Sequence, residues 1–127
     1  PLLGIGQDNF DYFFPLYRIE GWYDSTGHPH NDYLNVLVSS GIPGLLAFLT
    51  MWGFVLREGI RNGRIITVPV VRALNQGATL GVVGFLVGAF FQNYYGTFLN
   101  CMEWWFLTGI VLTCGKFSGE MGRVPYG

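Results

Sequence analysis

Charge is what this chain has least of. Lysine, arginine, aspartate and glutamate make up 12% of its 127 residues, and the formal net charge is -1. With no basic cluster interleaved with aromatics outside the apolar runs, nothing here would neutralise a phosphate backbone, so nucleic acid is excluded as a partner. Cysteine is scarce as well. Cys101 and Cys114 fall at opposite ends of one apolar run, about 20 Å apart on a helix rising 1.5 Å per residue, which is too far for a disulfide between them. The chain has no initiating methionine, and neither the charged leader nor the cleavage pattern of a signal peptide; it reads as part of something longer. A dinucleotide fingerprint is missing too. Gly4-Ile5-Gly6 opens like one, but the next required glycine is Asn9 and no βαβ unit surrounds it.

What is present in excess is apolar surface and glycine. Half the residues are hydrophobic and 19 are glycine, about double the usual ~7%. This composition predicts an all-α membrane protein with about three transmembrane helices and an extracytoplasmic loop, forming part of a larger polytopic bundle. Residues 1–33 read as the loop, 34–115 as a three-span region and 116–127 as a tail. Within the loop, turn formers and aromatics alternate without a sustained period, and a short helix is expected near Asn9 to Phe14. Trp22, Tyr23 and Tyr17 suit stacking on sugar rings, and equally suit anchoring at the membrane–water boundary.

The first span is expected from Leu34 to Leu56. Arg57, Arg61, Arg64 and Arg72 follow it, opposed only by Glu58, so by the positive-inside rule the connection 57–72 is cytoplasmic. The second span, Ala73 to Tyr94, repeats small residues at Ala73, Gly77, Gly81, Gly84 and Gly88, a pattern that predicts a groove for close helix packing. Gln92, Asn93 and Tyr94 end it on the outer side with polar groups. The third span runs from about Met102, reaching back toward Phe98, to Cys114, and Lys116 and Arg123 return the tail to the inside. Every basic residue except Arg18 then lies inside, while five of the eight acids fall in the first 32 residues.

Chemistry concentrates in His28-Pro29-His30-Asn31-Asp32-Tyr33, set directly against the first span. Pro29 fits the first turn of a helix, so a short amphipathic helix is expected to begin there. It would carry His30, Tyr33, Leu34, Leu37 and Val38 on one face, and Asn31, Asp32, Asn35 and Ser39 on the other. Gly41 and Pro43 should break it, with a second helix restarting at Pro43. His28, His30 and Asp32 invite a metal reading, but residues two apart on a helix do not face each other, so no metal is assigned. A lone histidine on an apolar face is ordinarily a satisfied interior group; at membrane depth an ionisable side chain is costly and tends to mark function. Arg18 has the donor geometry to bind a phosphate or carboxylate in bidentate fashion, or it pairs with Glu20 or a nearby aspartate.

These residues carry a resemblance. His30-Asn31, nine residues, then Gly41-Ile42-Pro43-Gly44 is similar to the signature of the bacterial O-antigen ligase and polymerase family, with Gly4 and Gly6 entering a large periplasmic loop and Arg18 upstream of the histidine. The resemblance implies a multi-pass inner-membrane enzyme with its site on the periplasmic side. Such an enzyme moves a glycan from an undecaprenyl-diphosphate carrier to an acceptor, whether lipid A-core, a growing glycan or a protein, in contact with membrane lipid and without a cofactor. It implies His30 as base or as the residue that positions the acceptor, Arg18 as ligand of the diphosphate, Asn31 orienting the histidine or a sugar hydroxyl, and Asp32, Tyr33, Trp22 and His28 around the substrate. The family uses a further arginine in upstream loop sequence. A transporter or channel module for polysaccharide or lipid, with His30 on a polar pathway, is the rival reading, which an internal repeat upstream would mark; a purely structural membrane subunit is the third, and it explains the spans but not the polar outer segment.

Overall fold

The structure, a computed structural model, describes residues 2–7, 9–17, 30–94 and 98–121. Among them are four helices and no strands: α1 (Phe10–Tyr17), α2 (Asp32–Ile65), α3 (Pro69–Gly88) and α4 (Phe98–Met121). The last three pack against one another, while α1 buries no residue. Two helices, α2 and α3, are long and apolar enough to cross a membrane. Only 11% and 17% of their most apolar windows are buried inside the protein, so most of that surface needs an apolar surround of another kind, as a spanning helix has in lipid. The third expected span matches α4 in place. It begins at Phe98 and has 24 residues, but Glu103, Trp104, Trp105 and Lys116 dilute its apolar character.

α2 has 34 residues, about 51 Å at 1.5 Å per residue, well beyond the ~30 Å hydrocarbon core. Arg57, Arg61 and Arg64 therefore lie on its final turns and not in a loop, which corrects the expected connection 57–72. Arginine is a good helix former, and Arg61 pairs with Glu58 three residues back at 2.6 Å. The true connection is residues 66–68, after which Pro69 starts α3 at the position where a missing N–H is no loss. At this end two buried amides tie the bundle together. Asn62 Nδ2 donates to the Val111 carbonyl across to α4 (2.9 Å), and Asn75 Nδ2 to the Gly59 carbonyl on α2 (2.8 Å). The core between the ends is aromatic and aliphatic: Phe48, Trp52 and Val55 from α2, Ala78 and Val82 from α3, Trp104 and Val111 from α4. Trp52 and Trp104 meet edge-on with centroids 4.4 Å apart, a favourable ring geometry.

The break in α2 falls where glycine and proline predicted it. Gly41 has φ 68° and ψ -169° in the middle of the helix, a left-handed φ that favours glycine. The chain's first residues fill the notch. Ile5 N–H donates to the Val38 carbonyl (2.8 Å) and Gly6 N–H to the Ser39 carbonyl (3.0 Å). In an unbroken helix the Ser39 carbonyl would look to residue 43, and proline there has no N–H to give. A Cβ on Gly4 would strike the Ser39 carbonyl oxygen, and one on Gly41 the Leu2 carbonyl oxygen. The two glycine motifs of the sequence are thus the two halves of one contact.

The small-residue groove expected along α3 is half corrected. Gly81 and Gly88 do lie in close packing, since an added Cβ would come within 2.8 Å of Leu107 Cδ1 and of the Tyr94 ring, but Gly77 and Gly84 have nothing within 4 Å. The face α3 buries is Asn75, Ala78 and Val82, roughly two-fifths of a turn away from Gly77 and Gly84 at 100° per residue. Gly81→Leu should therefore destabilise the bundle by about 1–3 kcal/mol through overpacking, and Gly84→Leu by less than about 0.5 kcal/mol. Gly41→Ala should cost about 1–3 kcal/mol, as a non-glycine residue held in a sparsely populated φ/ψ region does. Unfolding curves of the three variants in one detergent check the order.

Candidate functional site

Helix α2 begins at Asp32, not at Pro29. Asn31 is its N-cap, in extended geometry (φ -161°, ψ 114°), with its Oδ1 accepting from Leu34 N–H at 2.9 Å. An asparagine side chain satisfies a first-turn donor better than a helical continuation would, which is why the helix starts one residue after it. His30 consequently sits outside the helix and is exposed, so the expected apolar face no longer includes it. Asp32 is corrected in the opposite sense: expected on the polar face, it is fully buried at 0% exposure.

The reason for both is the neighbour. Helices α2 and α3 run antiparallel, so the beginning of α2 meets the end of α3 and the turn 89–94 that follows it. Asp32 N–H donates to the Ala89 carbonyl (2.9 Å), and the Asp32 carboxylate accepts from Tyr94 N–H (3.0 Å). Asn31 Nδ2 donates to the Phe90 carbonyl (3.0 Å) and Tyr33 Oη–H to the Leu86 carbonyl (2.7 Å). Asn35 Nδ2 lies 3.4 Å from Asn93 Oδ1. Donors orphaned at one helix start meet acceptors orphaned at another helix end, and the partial charges of the two termini attract. The Tyr33 ring also packs on Phe48 and Phe90, with centroids 5.7 Å and 4.4 Å away.

On this seam stands His30, its Nδ1 3.4 Å from Gln92 Oε1. The structure thus brings His30, Asn31, Asp32 and Tyr33 together with Gln92, Asn93 and Tyr94 in one polar patch where the start of α2 meets the end of α3. Within that patch Asn31, Asp32 and Tyr33 direct their polar groups to the protein, whereas the His30 ring is exposed. Arg18, Trp22 and His28 lie outside the described residues. Among the described residues no three His, Cys, Asp or Glu side chains gather as a metal would need. Nothing in the sequence signals the contact of Asn35 with Asn93, which lie 58 residues apart.

Residues 1–49 match the family model for O-antigen ligase. The match spans the notch-filling glycines, the His30 segment and the Gly41 break, and ends within the first apolar helix. No curated protein and no solved structure matches the chain.

Chemically, the patch offers a solvent-facing imidazole on a rigid base, at the end of a bundle suited to lipid. Asp32 is the residue on which that rigidity turns. Asp32→Ala should leave Tyr94 N–H without its acceptor in a partly buried site and cost about 1–3 kcal/mol, whereas Asp32→Asn, which keeps an acceptor oxygen, should cost less. Proteolysis of the 89–94 turn in the two variants, alongside their melting temperatures, checks this.

Proposed function

We propose that this chain is part of a membrane glycan ligase or polymerase of the O-antigen ligase type, transferring a glycan from an undecaprenyl-diphosphate carrier to a lipid-linked, glycan or protein acceptor. The observation that carries the reading is the family match over residues 1–49, which covers the segment where His30 stands exposed on the α2–α3 seam. In this reading residues 1–33 lie on the periplasmic side of the inner membrane, the region 34–115 spans it three times, and residues 116–127 are cytoplasmic. His30 acts as base toward the acceptor hydroxyl. Arg18 binds the diphosphate that leaves, a task suited to a planar guanidinium able to make two parallel hydrogen bonds. Trp22 and His28 line the sugar's approach, with Asn31, Asp32 and Tyr33 supporting it from beneath.

In the full-length enzyme, His30→Ala should lower transfer by on the order of 10²-fold or more, as loss of a general base does. Arg18→Ala should act similarly, and Arg18→Lys only partly less, because an ammonium cannot form the fork. His28→Ala should have the smaller effect. The assay is transfer of carrier-linked glycan by purified variants, with and without EDTA. Wild-type transfer by His30→Ala removes the base from the mechanism; transfer abolished by EDTA and restored by a divalent ion transfers the chemistry to a metal. For the topology, a cysteine at the exposed Arg64 position should resist an impermeant thiol reagent in spheroplasts, and reaction there would invert the site's side.

A further inference from the structure

Gln92 has a side chain in contact with His30 that the proposed reaction does not yet use. Its backbone is fixed: Gln92 N–H donates to the Gly88 carbonyl at 3.1 Å and Phe91 N–H to the same carbonyl at 2.8 Å. The turn holding it is tied on either side to α2, through the Phe90 carbonyl to Asn31 and through Tyr94 N–H to Asp32. His30 precedes Asn31 directly, so histidine and glutamine are mounted on two backbones cross-linked within two residues of each of them. Between the two side chains the contact is His30 Nδ1 to Gln92 Oε1, 3.4 Å. A carbonyl oxygen only accepts, so this pairing requires the hydrogen on Nδ1.

We propose that Gln92 is a positioning residue that holds His30 in the Nδ1–H tautomer and so makes Nε2 the basic atom. This deepens the reading of His30 as base and rests on it. The two ring nitrogens of a neutral imidazole are not equivalent, and the hydrogen bond made by one decides which of them carries the lone pair. In the transfer, the proton of the acceptor hydroxyl passes to Nε2 while its oxygen bonds to the anomeric carbon. The bond from that carbon to the carrier diphosphate breaks, and its electron pair leaves on the diphosphate oxygen. An amide serves this purpose differently from a carboxylate: it fixes the tautomer without placing a negative charge beside the ring. The neighbouring carboxylate, Asp32, is fully buried and turned to Tyr94 N–H.

The test reads the ring directly, in full-length protein labelled with [15N]histidine and held in lipid nanodiscs at a pH where the ring is neutral. Long-range 1H–15N spectra distinguish the tautomers, and His30→Gln assigns the signal. Wild type should show Nδ1–H. Gln92→Leu should lose that preference, and Gln92→Glu, which keeps an acceptor oxygen at the same reach, should retain it. In steady-state transfer, Gln92→Leu should lower kcat on the order of tenfold, part of what a general base supplies, and leave KM within about twofold, a pattern that marks loss at the transition state and not of binding. A wild-type ring protonated on Nε2, or a Gln92→Leu ring that keeps Nδ1–H, overturns the assignment. Wild-type transfer by His30→Ala would instead overturn the base role while leaving the tautomer spectra to decide Gln92's part, so the two failures are told apart.

Discussion

The structure depends on the meeting of two helix ends. An isolated helix leaves its first N–H groups and last carbonyls unpaired, and in or near a membrane there is little water to satisfy them. Here the start of α2 and the end of α3 satisfy each other: Asp32 N–H with the Ala89 carbonyl, Asn31 Nδ2 with that of Phe90, Tyr33 Oη with that of Leu86. The buried Asp32 carboxylate is tolerable for the same reason. It sits in the first turn of α2, where the helix dipole favours negative charge, and takes Tyr94 N–H from the turn it helps to hold. Each hydrogen bond alone is worth about 0.5–1.5 kcal/mol, but they act on the same few residues and fix α2, α3 and the turn 89–94 as one body.

The opposite end of the bundle solves a similar problem with side-chain amides. Lipid chains are as apolar as leucine, so helices in a membrane gain little by hiding apolar faces from them, and association falls to packing and interhelical hydrogen bonds. Asn62 and Asn75 supply those bonds toward α4 and α2, and the glycines at the close approaches are Gly59 beside Thr79 and Gly115 beside Asn62. Polar pins at both ends with a tryptophan-rich middle explain how three helices keep one arrangement while most of their surface faces outward.

Much of this was legible in the sequence. Glycine and proline punctuate a helix by mechanisms that do not depend on the rest of the fold, so the break at Gly41 and Pro43 could be read directly, whereas the short helix expected near Asn9 to Phe14 runs on through Pro15 to Tyr17. The seam could not, because its acceptors on α3 and just after it are main-chain carbonyls of Leu86, Ala89 and Phe90, whose side chains advertise nothing polar. Without them, Asp32 read as a solvent-facing residue and His30 as part of a helical stripe. The α3 glycines misled in another way. Spacing by threes and fours identifies a face, but only the neighbouring helix decides which face is buried, and α3 turns Asn75, Ala78 and Val82 inward instead of Gly77 and Gly84.

The same geometry separates two kinds of residue inside one short motif. Asn31 spends its oxygen on Leu34 N–H and its nitrogen on Phe90, Asp32 is sealed beneath the turn, and the Tyr33 hydroxyl is committed to Leu86. Three consecutive polar residues are thus engaged in holding the frame, and the residue before them is the one whose ring stands exposed. A histidine one residue farther along would have been the cap of α2 and lost its ring to a backbone donor. At position 30 it borders the helix without belonging to it, exposed and with its Nδ1 3.4 Å from Gln92 Oε1. The rigid seam and the exposed imidazole are therefore consequences of one feature, the N-cap at Asn31. It ends the extended chain, starts the helix, and leaves His30 at the boundary between them.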